Sequence, residues 1–326
     1  MTIRTLAILL ALAGLSSAQA ATTTLRFGQI PSTARAVSAL YLYVAEKQGF
    51  FARENVAVEV VQIPGGTGNM VAALDRGEVD VTQTATPYLI QAVRDGSPAV
   101  AIAGTTANPI YSLIAKPQIK DFADLKGKLI GLSLPIDTIS ISMRKLFALK
   151  GLDRADYRVK ELVGSPLRAA CLKSGECDAV PLGQPDDLIA VKDGYRRLGL
   201  STEAVASFQF EVIAARRDFA ETHAPALIGF VSALADAFRF IRDPAHRDDA
   251  VKAIVTLSGT SDEIARATLA LYLDPDRGVL PRQAEIDLDG LAQVIAFMGE
   301  GGTIKPPLPA PEQFIDLQYL RAAGAQ

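Results

Sequence analysis

Short apolar runs and helix-like patterns alternate along the first part of the chain. The runs that favour strands are TLRFGQI, VAVEVVQI, VDVTQTA and AVAIAGTT. The amphipathic segments between them are 36–51, GTGNMVAALDRG and TPYLIQAVRDG. Strands joined to helices by such short connections usually pair in parallel and are covered on both faces. The pattern therefore predicts an α/β unit with a mostly parallel sheet.

The same alternation starts again after Asn108 and Pro109. Its strand-like runs are YSLIAK, KLIGLS, YRVKELV, CDAVPL and YRRLGLS. Its helix-like segments are DFADLKG, 136–151, SPLRAACLKSG and PDDLIAVKDG. After Ser207, one strand (FQFEVIAAR) leads into a series of helices, which we predict at 224–242, 244–258, 261–273, 288–299 and 311–323.

One pattern occurs twice, as LDRGEVDVTQTATPY at 74–88 and as LKSGECDAVPLGQPD at 172–186, 98 residues further along. Each copy has the features of a helix end, a glycine stop, a buried strand and then a polar loop. Ligands of open α/β sheets bind at the carboxyl ends of the strands. The repeat therefore predicts two equivalent loops that face each other across one cleft.

The chain length is consistent with two lobes. Removal of residues 1–20 from the chain of 326 leaves 306, which is long for one hydrophobic core. We predict lobe 1 from 21–107 plus 208–326, and lobe 2 from 108–207. The expected fold is α/β. It has two doubly wound βαβ lobes, a two-strand hinge and a helical C-terminal tail.

The N-terminus has the pattern of a secretory signal peptide. MTIRTLAILLALAGLSSAQA contains an early arginine, a short apolar run and small residues before the cleavage point, which we place after Ala20. A lipid anchor would require a cysteine there, and the first cysteine is Cys171. We therefore expect a free periplasmic protein. Its formal charge of −3 becomes −4 once Arg4 is removed, which does not suggest a nucleic-acid partner.

The two cysteines, Cys171 and Cys177, both lie in the second copy of the repeat. In an oxidising compartment they could form a disulfide that closes a small loop. Alternatively, they are two small buried apolar side chains. A metal site is less consistent with the sequence, because five residues separate the cysteines and neither His223 nor His246 is nearby.

Four predicted helix starts follow strands and carry small polar residues, at 66–69, 86–88, 134–140 and 165–168. Free backbone N–H groups and the helix dipole can bind an anion at such positions. The alternative for each serine or threonine is an N-cap. Tyr88 and Phe208 are the rings that we place nearest the cleft. Arginines that could form a bidentate contact with an anion are Arg35, Arg144 and Arg168.

Several segments together resemble the type II periplasmic solute-binding proteins of the nitrate, sulfonate, taurine and thiamine-pyrimidine group. These segments are LRFGQIPS, AEKQGFFARENVAVEVVQIPGGTGNMVAALDRGEVDV, DFADLKGKLIGLSLPIDT and LKSGECDAV, and the resemblance covers about 25–220. It implies the type II periplasmic binding protein fold and a protein that closes on a small molecule. It also implies delivery of that molecule to an inner-membrane ABC permease and its ATPase. We also expect a monomer without a cofactor or metal.

The resemblance extends to the binding positions. Ser32 and Thr33 match the first binding loop of the family, and the helix start around Ser133 matches a position where the family presents hydroxyls and amides. With the helix starts and the repeat loops, the expected ligand-binding residues are Ser32, Thr33, Gly66, Thr67, Asn69, Thr86, Tyr88, Ser133, Thr138, Ser140, Arg168, Gln184, Asp186 and Phe208. No catalytic residue is expected.

The ligand class has two alternatives. Hydroxyl-rich helix starts favour a small organic anion of the sulfonate, taurine or carboxylate type. Asp137, Asp186 and Asp187 are most simply explained as helix caps, but any of them pointing into the cleft would favour a ligand with an amine or several donors. A thiamine-type pyrimidine or another heterocycle is then the alternative.

Two other classes of protein share this fold or this use of it. One is an enzyme of the pyrimidine-synthase-like branch, which needs reactive side chains in the cleft. Here both histidines fall in the helical tail, and no G-x-S-x-G motif is present. The other is a sensor partner, in which a membrane receptor detects closure of the lobes.

Overall fold

The computed structural model describes residues 21–205 and 207–325. The predicted signal peptide lies outside the described residues. The strands are β1 (Thr23–Gln29), β2 (Val56–Gln62), β3 (Val81–Ala85), β4 (Ala99–Thr106), β5 (Ser112–Ala115), β6 (Leu129–Leu132), β7 (Arg158–Glu161), β8 (Ala179–Leu182), β9 (Arg196–Leu200) and β10 (Glu211–Arg216).

The helices alternate with the strands and then form the C-terminal part of the chain. They are α1 (Leu40–Lys47), α2 (Phe50–Arg53), α3 (Gly68–Asp75), α4 (Thr86–Arg94), α5 (Thr138–Leu149), α6 (Ser165–Lys173), α7 (Asp186–Lys192), α8 (Arg217–Thr222), α9 (Ala224–Arg242), α10 (Arg247–Ser258), α11 (Asp262–Leu273), α12 (Leu288–Glu300) and α13 (Gln318–Ala322).

The strands form two five-stranded sheets, one in each lobe. The strand order is β2-β1-β3-β10-β4 in the first sheet and β7-β6-β8-β5-β9 in the second. The α/β fold with two lobes and a helical C-terminal region, predicted from the sequence, is confirmed. The chain crosses between the lobes twice, first through residues 107–111 and then between β9 and β10.

Each sheet contains one strand that runs against its neighbours on both sides. β10 is antiparallel to β3 and β4, and β5 is antiparallel to β8 and β9. These are the two strands that follow a crossing. A chain that arrives from the other lobe enters at the carboxyl ends of the parallel strands, so it must run in the opposite direction. The start of each entering strand therefore lies at the end of its sheet that faces the cleft.

The two crossings lie side by side. Ser201 donates its backbone N–H to the carbonyl of Tyr111 (2.9 Å), and its hydroxyl accepts from the N–H of Tyr111 (2.9 Å). The N–H of Phe210, on the second crossing, donates to the carbonyl of Ala107 on the first (2.8 Å). The connection between the lobes is therefore a hydrogen-bonded pair of segments.

Some predicted helices have different boundaries. The helix predicted at 36–51 is divided into a 3-10 turn, α1 and α2. The break between α1 and α2 lies at Gly49, which adopts the left-handed conformation (φ 70°). The helix predicted at 311–323 is also divided, into a 3-10 turn at Pro311–Phe314 and α13.

Helix α9 organises the core of lobe 1. Phe230 of α9 stacks on Phe51 (ring centroids 5.5 Å apart), and Phe238 stacks on Tyr41 (5.3 Å). Among the described residues, α9 is the one helix long and apolar enough to span a membrane. Since it packs against α1, α2 and β2 with its apolar face buried, it is the core helix of lobe 1.

Lobe 2 has a smaller core on each face of its sheet. On one face Phe147 of α5 packs between Phe122 and Tyr157. On the other face α6 packs against β8. Here Cys171 and Cys177 are joined in a disulfide with a Cα–Cα distance of 5.2 Å. The bridge ties the end of α6 to the segment that enters β8.

Candidate functional site

A cavity of about 320 Å³ lies between the two lobes. Lobe 1 contributes the loop after β1, and lobe 2 contributes the loops before α5, α6 and α7. Both crossings line it through Tyr111 and Phe210, and the tail contributes the segment 258–260. A cavity enclosed by both lobes is the usual form of a small-molecule site.

The lobes approach each other closely at the rim of this cavity. A Cβ atom added at Gly66 of lobe 1 would lie 3.2 Å from Cγ1 of Val163 in lobe 2. A Cβ added at Gly164 would lie 3.7 Å from the hydroxyl oxygen of Ser32. The cleft is therefore nearly closed at these two points.

The structure brings about half of the predicted site residues to the cavity wall. These are Ser32, Thr33, Thr67, Ser133, Arg168, Gln184 and Asp186. The others are not part of the wall: Gly66, Asn69, Thr86, Tyr88, Thr138, Ser140 and Phe208.

Several predicted residues that do not line the cavity have hydrogen-bond or ring partners elsewhere. The hydroxyl of Thr86 donates to the carbonyl of Gln209 (2.6 Å), and that of Ser140 donates to the carbonyl of Ser133 (2.8 Å). Asn69 donates its side-chain amide to the carbonyl of Pro64 (2.9 Å). These side chains stabilise loops instead of facing the cavity. Phe208 stacks on Phe297 of α12 in the core of lobe 1, and Phe210 takes its place at the cavity.

Two further predicted residues have buried oxygens close to the cleft. The hydroxyl of Tyr88 and the hydroxyl of Thr138 are both buried without a hydrogen-bond partner among the described residues. Burial, and then the charge of Asp137, raise the pKa of the Tyr88 phenol. The phenol therefore remains neutral.

Arg168 is the buried cation of the site, with only 1% of its surface exposed. Its guanidinium donates to the carbonyl of Pro181 (2.8 Å), the carbonyl of Leu162 (3.2 Å) and the hydroxyl of Ser165 (3.1 Å). Its Cζ lies 5.9 Å from the centroid of the Tyr111 ring. Burial lowers the pKa of Arg168 below its ordinary value. Most of its donors are thus engaged by lobe 2 itself.

Asp137 both caps a helix and lines the cavity. One carboxylate oxygen accepts from the N–H of Ile139 (3.0 Å), which confirms the expected cap of α5. The other oxygen accepts from the hydroxyl of Ser133 (2.8 Å). Burial raises the pKa of Asp137, although these hydrogen bonds and the charge of Arg168 oppose the shift.

The loop before α7 contains two acids with different roles. Asp187 is fully buried and does not cap the helix, which corrects the sequence interpretation. Its Oδ2 accepts from Ser112 (2.5 Å), Gln184 (3.0 Å) and Arg197 (3.0 Å), so it fixes the loop. Asp186 lines the cavity instead. Burial, and then the neighbouring Asp187, raise the pKa of Asp186.

Gln184 lines the cavity and has an unsatisfied acceptor buried beneath the wall. Only 5% of its surface is exposed, and its amide N–H group is held by Asp187. Its carbonyl oxygen Oε1 is buried without a hydrogen-bond partner among the described residues. Since a buried acceptor without a donor is costly, a donor from a ligand would be favourable here.

Glu211, the first residue of β10, lines the cavity and was missed from the sequence. Its Oε2 accepts from the amide of Gln83 (2.7 Å) and from the hydroxyl of Thr106 (3.1 Å). Gln83 in turn accepts from the hydroxyl of Tyr41 (3.0 Å). Burial raises the pKa of Glu211 to about 7. The signal in the sequence was a lone acid in the apolar run FQFEVIAAR.

Apolar and aromatic side chains complete the wall. Tyr111 and Phe210 meet edge to face with ring centroids 6.1 Å apart, and Tyr272 of α11 lines the cavity from the tail. Among the described residues, no group of three or more potential metal ligands is present. The histidines stack on other rings in the tail region, His223 on Phe219 and His246 on Phe240.

Two lobes that enclose a cleft define the fold of the periplasmic binding proteins. The model of the NMT1/THI5-like family matches residues 37–246, and the chain belongs to that family. A Haemophilus influenzae protein, provisionally described as a thiamine biosynthesis protein, is 34% identical over 97 residues. That match spans 28% of this chain and 30% of the relative.

Solved structures with low sequence identity share the fold. The ligand-binding component of an ABC-type import system from Staphylococcus aureus, determined with zinc bound, is 13% identical (TM-score 0.78), with 93% of this chain and 100% of that one covered. The alkanesulfonate-binding protein SsuA from Xanthomonas axonopodis pv. citri, bound to MOPS, is 19% identical (TM-score 0.69; 90% and 99% covered). The desulfurization enzyme DSZB is 16% identical (TM-score 0.65; 92% and 98% covered).

Proposed function

We propose that this protein is the substrate-binding component of an ABC importer, which holds a small molecule between its lobes and delivers it to a membrane permease and its ATPase. The cavity carries the proposal, because both lobes, both crossings and the tail contribute to its wall. A molecule that contacts both lobes binds the closed form more tightly than the open form, and so it shifts the protein toward closure. Closure is then the signal that the permease recognises.

The proposed location is the periplasm, where the protein would act as a free monomer. The bond between Cys171 and Cys177 supports export, since structural disulfides persist in oxidising compartments and are rare in the cytosol. A sensor partner would need the same clamp, and the presence of a permease and an ATPase encoded beside the protein would favour import.

The ligand that the cavity supports best is a small organic compound with nitrogen donors, such as a heterocycle. Three carboxylates line the wall, those of Asp137, Asp186 and Glu211. The buried cation, Arg168, already donates to three protein oxygens. Since Arg35 also lines the wall, the organic anion favoured by the sequence would meet three carboxylates against two arginines. The apolar and aromatic part of the wall also suits a flat ring.

An enzymatic function has less support. Catalysts of this fold class need reactive side chains in the cleft, and the cavity-lining residues that the structure describes include no histidine, cysteine or lysine. The fold itself does not distinguish a binding protein from an enzyme, because the desulfurization enzyme DSZB shares it.

The test is a thermal-shift panel on mature protein that has been freed of ligand by unfolding and refolding with the disulfide intact. The panel covers pyrimidines, riboflavin, alkyl and aryl sulfonates, nitrate and carboxylates. A ligand at about 100 times its dissociation constant adds about 2.7 kcal/mol to native stability. We expect a shift with a nitrogen heterocycle and turnover of none of the compounds.

The outcomes separate the classes of function. A shift with sulfonates alone would favour the anion. Chemical conversion of a panel member, followed by mass spectrometry, would contradict the transport proposal and favour an enzyme. Binding without uptake by cells that contain the matching permease would favour a sensor.

A further inference from the structure

Glu211 lies next to the second crossing and also lines the cavity. It begins β10, directly after the second crossing, and pairs with the last residues of two other strands, Ala85 and Thr106. Only 8% of its surface is exposed, and that surface belongs to the cavity wall. The carboxyl group therefore lies where the hinge and the ligand meet.

One oxygen of this carboxyl group is left for the cavity. Both hydrogen bonds that it accepts from the described residues, from Gln83 and from Thr106, end on Oε2. The hydroxyl of Tyr41 donates to the side-chain carbonyl of Gln83 and so fixes its orientation. Residues of lobe 1 therefore hold Oε2 of Glu211 in place. Oε1 receives no donor from the described residues and is available to a ligand.

Lobe 2 also has an oxygen acceptor without a donor near the cavity. The Oε1 atom of Gln184 is buried at the cavity wall without a partner among the described residues. Asp187 holds the N–H side of that amide, which fixes the position of Oε1 beneath the cavity wall. Lobe 2 thus carries an unsatisfied acceptor close to the cavity, and lobe 1 carries the open oxygen of Glu211.

Two arginines, Arg35 and Arg168, line the same cavity, but neither is among the groups that shift the pKa of Glu211. Tyr41 of α1, Tyr111 of the first crossing and Tyr272 of α11 each feel its charge, and burial raises the pKa of all three phenols, so they stay neutral. Asp137, at the start of α5, adds a negative charge. Arg168 contacts Tyr111 and faces Asp137 and Asp186.

We propose that Glu211 determines ligand specificity: it receives an N–H donor of the ligand on Oε1, and binding of a cationic ligand releases a proton from those molecules in which this buried carboxyl group is protonated. This proposal rests on the proposed binding function and adds the group that selects the ligand. In the empty cavity, the neutral acid avoids an unpaired buried charge. When an amidinium-like or amino group arrives, the carboxylate becomes the better partner, and its proton leaves for the solvent.

The test uses three nearly isosteric probes that differ in charge: benzamidine (cation), benzamide (neutral) and benzoate (anion). Titration calorimetry at pH 6 and pH 8, in two buffers of different ionisation enthalpy, gives both affinity and protons released. We expect benzamidine to bind most tightly, benzamide more weakly and benzoate most weakly. Ionisation of a group with a pKa of about 7 should raise benzamidine affinity about tenfold from pH 6 to pH 8, with proton release at pH 6.

Variants assign the effect to the residue. In Glu211→Gln the pH dependence should disappear, and benzamidine should bind roughly tenfold more weakly at pH 8, as expected for a lost charge-assisted hydrogen bond. Glu211→Asp keeps a carboxylate and should retain proton release. Glu59→Gln, an exposed site on β2, is the matched control and should behave as the unaltered protein.

Each outcome decides the proposal. Absence of benzamidine binding, tighter binding of benzoate, or proton uptake with benzamidine would overturn it. Retention of proton release in Glu211→Gln would also overturn it, by assigning the proton to Asp137 or Asp186. Proton release by the unaltered protein can be measured even if a variant does not fold. If the thermal panel identifies a ligand while benzamidine fails, the binding function stands and only the role of Glu211 falls.

Discussion

At the scale of single residues, Glu211 also connects stability to pH. Its pKa is raised from 4.5 to about 7 because burial disfavours the charge. Between these two values the folded protein binds a proton that the unfolded chain has released. Stability must therefore fall as pH rises through this window. The effect is independent of any ligand.

Replacement of Glu211 by glutamine should remove this pH dependence. Since one pKa unit corresponds to about 1.4 kcal/mol, the advantage of the Glu211→Gln variant should grow by on the order of 3 kcal/mol between pH 4.5 and pH 8. Urea unfolding of both proteins at several pH values measures the difference. Parallel stability curves for the two proteins would contradict this account, and Glu59→Gln should show such parallel curves.

The sequence identified some cavity residues and missed others for physical reasons. Arg168 and Gln184 could be predicted because they follow strands at helix starts, where the topology itself places them at the cleft. The sequence could not predict that Phe210 lines the cavity in place of Phe208, because this depends on how the second crossing packs against α12. Tyr272 reaches the wall only through packing of the tail, which leaves no local signal.

At the scale of elements, the cap of α12 joins the tail to the second crossing. Asp287 accepts from the N–H of Gly290 (3.0 Å) and from the hydroxyl of Ser207 (2.7 Å). Its own N–H donates to the side chain of Gln209 (2.7 Å). One carboxylate therefore both starts a helix and fixes the segment that leads to Glu211.

Replacement of Asp287 by alanine should lower the free energy of unfolding by about 1–2 kcal/mol, because a helix cap and a second hydrogen bond are lost. Asp289→Ala is the matched control, since this exposed aspartate lies in the first turn of the same helix without capping it. Its effect should stay below about 0.5 kcal/mol. Equal losses in urea unfolding would show that the cap is unimportant.

Element types were predictable where periodicity and glycine stops agree, as in α3 and β3. Breaks such as the one at Gly49 are visible only as a single glycine, which the amphipathic pattern conceals. The antiparallel direction of β5 and β10 follows from the crossings, a long-range property of the chain. Local pattern does not contain this information.

At the scale of the whole molecule, the tail also contacts lobe 2. Lys192 of α7 pairs with Glu263 of α11 (2.9 Å), and Lys145 of α5 pairs with Glu300 of α12. The ammonium of Lys145 also lies 4.1 Å from the centroid of the Phe297 ring. The lobe boundaries at 107/108 and 207/208, with the tail assigned to lobe 1, stay a prediction.

A bond across the cleft should prevent ligand entry. Cysteines in place of Gly66 and Val163 are suitably placed, since a Cβ at Gly66 lies 3.2 Å from the Cγ1 position of Val163. When oxidised without ligand, this variant should stay folded, show no thermal shift with a panel ligand and support no uptake. The two single-cysteine variants are the controls. Unaltered uptake by the oxidised protein would contradict the clamp mechanism.

The paired crossings restrict how the lobes can move. Because the two connecting segments are hydrogen-bonded side by side, they should act as one hinge, which allows the lobes to rotate but restricts twisting and translation. Tyr111, Phe210 and Glu211 lie on this hinge and also line the cavity. A molecule bound as we propose would lie against these hinge residues, and also against Ser32 and Asp186 of the two lobes, which line the cavity outside the crossings. We expect substitutions in the hinge to change both the ligand affinity and the opening angle between the lobes. Substitutions of Ser32 or Asp186 should change the affinity without changing the opening angle.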